Sequence, residues 1–194
     1  MPEDGVQVYF HARVLMGVVV ALAVTRILSG LPKFIQQWGH KPLCATHLLW
    51  VFTVLLMAVH FWWFEFGLIR IHPWRFELFV FVLFYAFLFY LMATVLVPDD
   101  VGTHPDYEEF FMARRGSFFG LLAASVPVDL ADTLIKSGSY YASLGSEYPV
   151  RLAVQFLLCI VAIRTSNRWF HLAFAGLYLV YYASWVLRLY NVLE

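Results

Sequence analysis

Charge is what this chain has least of. Only 13% of its 194 residues are Asp, Glu, Lys or Arg, about half the ~25% of an ordinary soluble domain. The charge present is balanced, 13 basic against 13 acidic. No basic excess is available for a phosphate-binding face, so no nucleic-acid partner is expected. Cysteine is scarce as well. Cys44 and Cys159 both sit in apolar runs, outside any CxxC or CxxCH spacing, which gives no zinc site and no attached c-type haem. They are expected to act as small apolar residues. A nucleophile elbow, a P-loop, a dinucleotide-binding glycine fingerprint and HExxH are all missing. Ser117, Ser125 and Ser184 have no adjacent histidine to begin a triad. No catalytic residue is therefore expected. The first residues, MPEDGVQVYF, are acidic where a signal peptide is basic, and the apolar run after them is too long for a signal core. A retained first span is expected instead. Strand-like alternation is absent, and no internal repeat supports an inverted-repeat transporter.

Apolar and aromatic residues fill the space that charge leaves. Hydrophobic residues are 62% of the chain and aromatics 19%. A bilayer-crossing helix needs about 20 mainly apolar residues, and six segments have that character: 8–31, 43–66, 76–97, 116–135, 148–163 and 169–190. In lipid each must be helical to satisfy its own backbone. The fold expectation is an all-α integral membrane protein, one domain over 1–194, built as a bundle of about six transmembrane helices. The aromatic load, including FWWF at 61–64, suits an interfacial belt. Gly17, Ala21 and Ala23 permit close helix approach in the first span. The polar connection at about 98–115 is expected to hold a short surface helix, with Asp106 as its cap, Glu108 and Glu109 in its first turn and Arg114 and Arg115 in its last. Let the N-terminal end of the first span be end A and the opposite end B. Six basic residues then fall at A and seven at B. With an acidic N-terminal tail, this leans toward B in the cytoplasm and both termini outside.

The stretch 42–89 carries three titratable side chains, His47, His60 and Glu65, inside one apolar run. Ionisable groups at such positions are functional candidates. At 100° per residue His47 and Glu65 share a helix face but lie roughly 27 Å apart, and His60 points the other way. They form no single site. Depth groups the acids better. Glu65, Glu77, Asp129 and Asp132 all fall toward end A, as do Arg13, His11 and His60. Asp129 and Asp132, three residues apart, share a face beyond Pro127. The functional expectation is a polar vestibule at A, formed by Arg13, His60, Glu65, Asp129 and Asp132, that binds a cation or carries protons. The structural alternative is that Asp129 or Asp132 pairs with Arg13 or Arg151 to lock two helices. Histidines also pair by depth, His47 with His171 at B and His11 with His60 at A. Such pairs could ligate a metal or a b-type haem, although no cofactor is otherwise expected. The face His171, Tyr178, Tyr182 and Trp185 on the last span is expected to pack rather than line a path.

With these residues in view, the chain resembles a set of small bacterial inner-membrane proteins of unassigned activity. The resemblance lies in TRILSG at 25–30, HLLW at 47–50, FWW at 61–63, LVPD at 96–99 and RRGSFFG at 114–120. It implies a multi-pass protein of a bacterial inner membrane and assigns no residue a role. Two functional expectations follow. One is an ion- or proton-handling channel or small-solute transporter. The other is a non-catalytic subunit of a larger membrane complex. The expected partners are the lipid bilayer and a second copy or a membrane-complex partner.

Overall fold

A computed structural model describes residues 3–36, 44–71, 73–97 and 106–189, with side chains from residue 7 to 32 in the first stretch. Among the described residues there are seven α-helices and no strand: α1 (Glu3–Gln36), α2 (Ala45–Phe64), α3 (Phe76–Leu96), α4 (Tyr107–Lys136), α5 (Gly138–Ser143), α6 (Glu147–Arg164) and α7 (Arg168–Leu189). Five of them, α1, α2 with the turn after it, α3, α4 and α7, are long and apolar enough to cross a membrane. The fifth expected span corresponds to α6. It has 18 residues with three charges among them, Glu147, Arg151 and Arg164, and so lacks the charge-poor stretch of 18 residues that the other five contain. One of those charges, Arg151, turns inward to meet an acid, as described below.

Local chemistry explains some of the helix ends. Asp106 caps α4 by accepting the Glu109 amide at 2.8 Å. Glu108 and Glu109 follow in the first turn and Lys136 closes the last, which complements the helix dipole at both ends. The cap is where the sequence places it, but the helix it starts is not a separate surface segment. α4 runs unbroken through Gly116 and Pro127 to Lys136, because Tyr107, Phe110 and Phe111 are buried and draw the first turns into the bundle. The remainder of that connection, with the stop at Pro98, Asp99 and Asp100, lies outside the described residues. α1 likewise continues past the expected end at Gly30 and Pro32. α2 tightens at Glu65 into a 3-10 turn, Glu65–Arg70. Ser137 caps α5 by accepting the Tyr140 amide at 2.9 Å.

The long helices close a ring in the order α1, α3, α4, α6, α7, α2, with α2 also leaning inward on α3 and α4. α6 packs on α4 and α7 on α2, while α6 and α7 touch each other only sparsely. The middle of the bundle is an aromatic layer. Trp50 is fully buried, with Phe118, Phe119, Phe174 and Tyr178 at ring-centre distances of 5.1, 5.4, 5.2 and 5.4 Å. Phe61, expected in an interfacial belt, is instead in the core against Tyr85 and Phe89. The close approach of α1 occurs at Gly30, where an added Cβ would collide with Val97 of α3. Gly17 has ordinary room. The outer faces remain apolar and uncovered, for example Val14 and Val18 on α1 and Leu177, Val180 and Leu187 on α7.

Candidate functional site

α4 brings the polar groups together. Ser125, Asp129, Asp132 and Lys136 are spaced four, three and four residues apart, which puts them on one helix face. At 1.5 Å per residue the stripe runs about 16 Å from end A into the bundle. Its outer part is a buried charge cluster. Lys136 Nζ lies 2.5 Å from Asp132 Oδ2 and 3.1 Å from Glu65 Oε1 of the 3-10 turn. It also sits 3.2 Å from the centre of the Phe64 ring. Glu65 and Asp132 are 2% and 0% exposed, and each keeps one carboxylate oxygen, Oε2 and Oδ1, buried without a hydrogen-bond partner. Two carboxylates thus share one ammonium in a site closed to bulk water.

The inner part is a hydrogen-bonded network around Asp129. Arg151 Nη2 of α6 donates to Asp129 Oδ2 at 2.8 Å. The hydroxyls of Tyr85 on α3 and Tyr148 on α6 each reach the same carboxylate at 3.2 Å. The Arg151 guanidinium is flanked by the rings of Tyr148 and Trp185, at 5.2 and 5.0 Å. Nearby, His60 Nδ1 shares a 2.8 Å hydrogen bond with the hydroxyl of Tyr182 on α7. These groups surround a cavity of about 40 Å³, also lined by Ser125, Gln155 and Tyr178. That is room for about one water molecule among polar partners. Its Tyr178 wall meets the Trp50 ring, with 5.4 Å between ring centres.

The residues grouped by depth come together in part and are wired differently. Glu65 and Asp132 meet on Lys136, and Asp129 and His60 line the adjoining cavity. Arg13 is not with them. Its guanidinium donates to the Tyr9 hydroxyl at 3.2 Å and lies over Trp62 and Phe66 at 4.4 and 4.7 Å. Aromatic faces on the α1–α2 seam hold it there, and Arg151 takes the place beside Asp129. Lys136 is a site residue outside the expected set, although Asp132-x-x-x-Lys136 is a helical ion-pair spacing. Tyr148 and Gln155 carry no comparable signal, because their inward facing depends on how α6 packs.

The histidine pairs are not assembled. His47 and His171 flank Phe111 at ring-centre distances of 6.2 and 5.9 Å. Each Nε2–H donates to a backbone carbonyl at a helix C-terminus, His47 to Leu96 at 2.7 Å and His171 to Thr165 at 3.1 Å. They satisfy carbonyls that a helix end leaves open, and the nitrogens that would ligate haem are engaged. His11 lies on the α1 side by Trp74 and Phe76, while His60 faces α7. The described residues contain no cluster of three or more His, Cys, Asp or Glu suited to a metal ion. Of the last-span face, Tyr182 meets His60 and Trp185 stacks near Tyr148, whereas the Tyr178 hydroxyl is buried without a partner.

No family model, no curated protein and no solved structure matches this chain, so the functional argument rests on the geometry of the α4 stripe and the groups it gathers.

Proposed function

We propose that this chain is a membrane-spanning six-helix bundle, α6 being the sixth span, that handles protons or small monovalent cations through the polar stripe of α4. The observation that carries the proposal is the pair of buried carboxylates, Glu65 and Asp132, sharing the single Lys136 ammonium with an unpartnered oxygen each. An uncompensated charge away from water is costly, and ionisable groups within a spanning segment are candidates for ion or proton paths. A proton or a monovalent cation would neutralise the excess. The uncovered apolar faces of α1 and α7 support the membrane setting. Placement in a bacterial inner membrane draws on the resemblance alone.

The mechanism follows from the stripe. An ion entering at end A meets the Glu65–Asp132–Lys136 cluster first. It then passes to Asp129, whose carboxylate is held by Arg151, Tyr85 and Tyr148, and reaches the small cavity by Ser125 and His60. The stripe covers about half of a ~30 Å hydrocarbon core. The Trp50 layer closes the remaining half, so transfer to end B requires that layer to rearrange. Reconstitution in liposomes under separate proton, sodium and potassium gradients tests this. At least one gradient should collapse faster than in protein-free vesicles. If none does, ion handling fails, and retention of a fixed partner in mild detergent would then favour the complex-subunit function.

A further inference from the structure

Lys136 holds the place that a free cation would take. Its Nζ lies 3.1 Å from Glu65 Oε1 and 2.5 Å from Asp132 Oδ2, and the centre of the Phe64 ring is 3.2 Å from it. The arrangement recurs about one turn further in, where Arg151 Nη2 meets Asp129 Oδ2 at 2.8 Å. Each of the three acids thus already has a cation that the chain itself supplies. The room beside them points the same way. The adjoining cavity of about 40 Å³ admits about one water. A hydrated sodium or potassium ion brings several waters, and a bare one needs a ring of oxygens in place of its shell. A proton needs neither. It needs groups that can accept and donate in turn. The Glu65 and Asp132 carboxyls lie within hydrogen-bond reach of each other, and each keeps an oxygen without a partner. As two carboxylates they only accept. With one proton between them, one carboxyl becomes the donor and the other its acceptor. Around Asp129 the partners besides Arg151 are the hydroxyls of Tyr85 and Tyr148, and the Tyr148 hydroxyl is bonded in turn to Thr133 Oγ1 at 2.8 Å. Hydroxyls donate and accept at once, so they pass protons while crowding out a metal ion.

We infer that the ion handled by this stripe is the proton, that Glu65 and Asp132 take it up as one shared proton, and that Lys136 is the residue that keeps sodium and potassium out. The proton comes from water at end A, bonds to a carboxylate oxygen of the pair and leaves from the same pair, and no other bond forms or breaks. Lys136 acts as a tethered stand-in for a metal cation. Its charge repels a second cation, and its ammonium fills the position between the two carboxylates. The inference rests on the ion-handling function proposed above and narrows it to one ion.

The test is the full chain in liposomes, given a proton, a sodium or a potassium gradient in separate runs, with the membrane potential clamped by a permeant organic ion. In wild type the proton gradient should collapse several-fold faster than in protein-free vesicles, and the sodium and potassium gradients at the protein-free rate. Faster collapse of the sodium or potassium gradient overturns the inference and leaves ion handling standing. Collapse of none of the three overturns ion handling itself, and the inference with it. Glu65→Gln should slow the proton flux several-fold, and an unchanged rate overturns the shared proton. Lys136→Ala empties the ammonium position and should raise potassium flux several-fold over wild type while trapped glucose stays retained. Potassium flux equal to wild type in the folded variant overturns the role given to Lys136. Should Lys136→Ala fail to fold, the comparison of the three gradients on the wild-type chain decides alone.

Discussion

Replacing Lys136 by methionine tests the charge cluster most sharply as a structural element. The substitution keeps the length of the side chain and removes its charge. The lost ammonium lies 3.1 Å from Glu65, and at an effective dielectric near 20 that contact alone is worth about 5 kcal/mol of Coulomb attraction. The second contact, to Asp132 at 2.5 Å, adds more, while repulsion between the carboxylates and the cost of burying three charges take much of it back. Breaking a buried pair by removing one partner costs about 3–5 kcal/mol net. The Lys136 side chain is only 5% exposed, so solvent screening does not reduce this. For a chain of this size that is roughly 6–20 °C in midpoint, read as loss of monodisperse protein on heating in detergent. Neutralising all three groups together, with Glu65→Gln, Asp132→Asn and Lys136→Met, should recover more than half of the loss, because no charge is then left unpaired. A Lys136→Met midpoint within about 2 °C of wild type would refute the reasoning, as would a triple variant less stable than the single one.

Further consequences concern packing and the helix ends. Gly30→Leu should force α1 from Val97 of α3 and cost about 1–3 kcal/mol as overpacking, seen as a lowered melting midpoint, whereas Gly17→Ala should be close to neutral. Trp50→Ala removes the centre of the aromatic layer and should cost about 3–5 kcal/mol by the same heating assay. Glu147, the exposed first residue of α6 and outside the apolar segment 148–163, has its carboxyl held below its ordinary pKa of 4.5, first by the hydrogen bonds from Arg188. A depressed folded pKa means the pairing is present above the ordinary value and is lost as pH falls through the depressed one. Protection of the amides at the start of α6, taken relative to the intrinsic exchange rate at each pH, should therefore fall in acid below that ordinary value in wild type and stay constant over the same pH step in Glu147→Gln.

Depth was legible in the sequence and partnership only in part. The count of residues from each end of an apolar run placed Glu65, Asp129 and Asp132 at one end of the bundle, because rise per residue is fixed in a helix. Which cation meets which acid depends on the ring order of the helices, and no periodicity within a segment encodes that order. Arg13 shares the depth of the acids yet stands over Trp62 and Phe66, since α1 packs on α2 and α3 and not on α4. His47 and His171 match in depth yet flank Phe111 and bind carbonyls. Helix ends divided along similar lines. The Asp106 cap is local and was legible. The run of α4 through Gly116 is tertiary, set by the burial of Tyr107, Phe110 and Phe111. The Lys136 pairing was within reach, because both ends of its bond to Asp132 lie on a single helix, and the Asp129–Arg151 pair that joins α4 to α6 is one of the pairings offered as the structural alternative.

The central claim is that the α4 acids carry the ion that this bundle handles. It is tested by flux in liposomes reconstituted with wild type and with Asp129→Asn combined with Asp132→Asn, at equal protein content and orientation. The account predicts that the gradient collapsed by wild type persists in the double variant, with the initial rate reduced at least about tenfold, the equivalent of about 1.4 kcal/mol on the barrier. Equal rates for the two proteins, with both correctly folded in the vesicles, would contradict it.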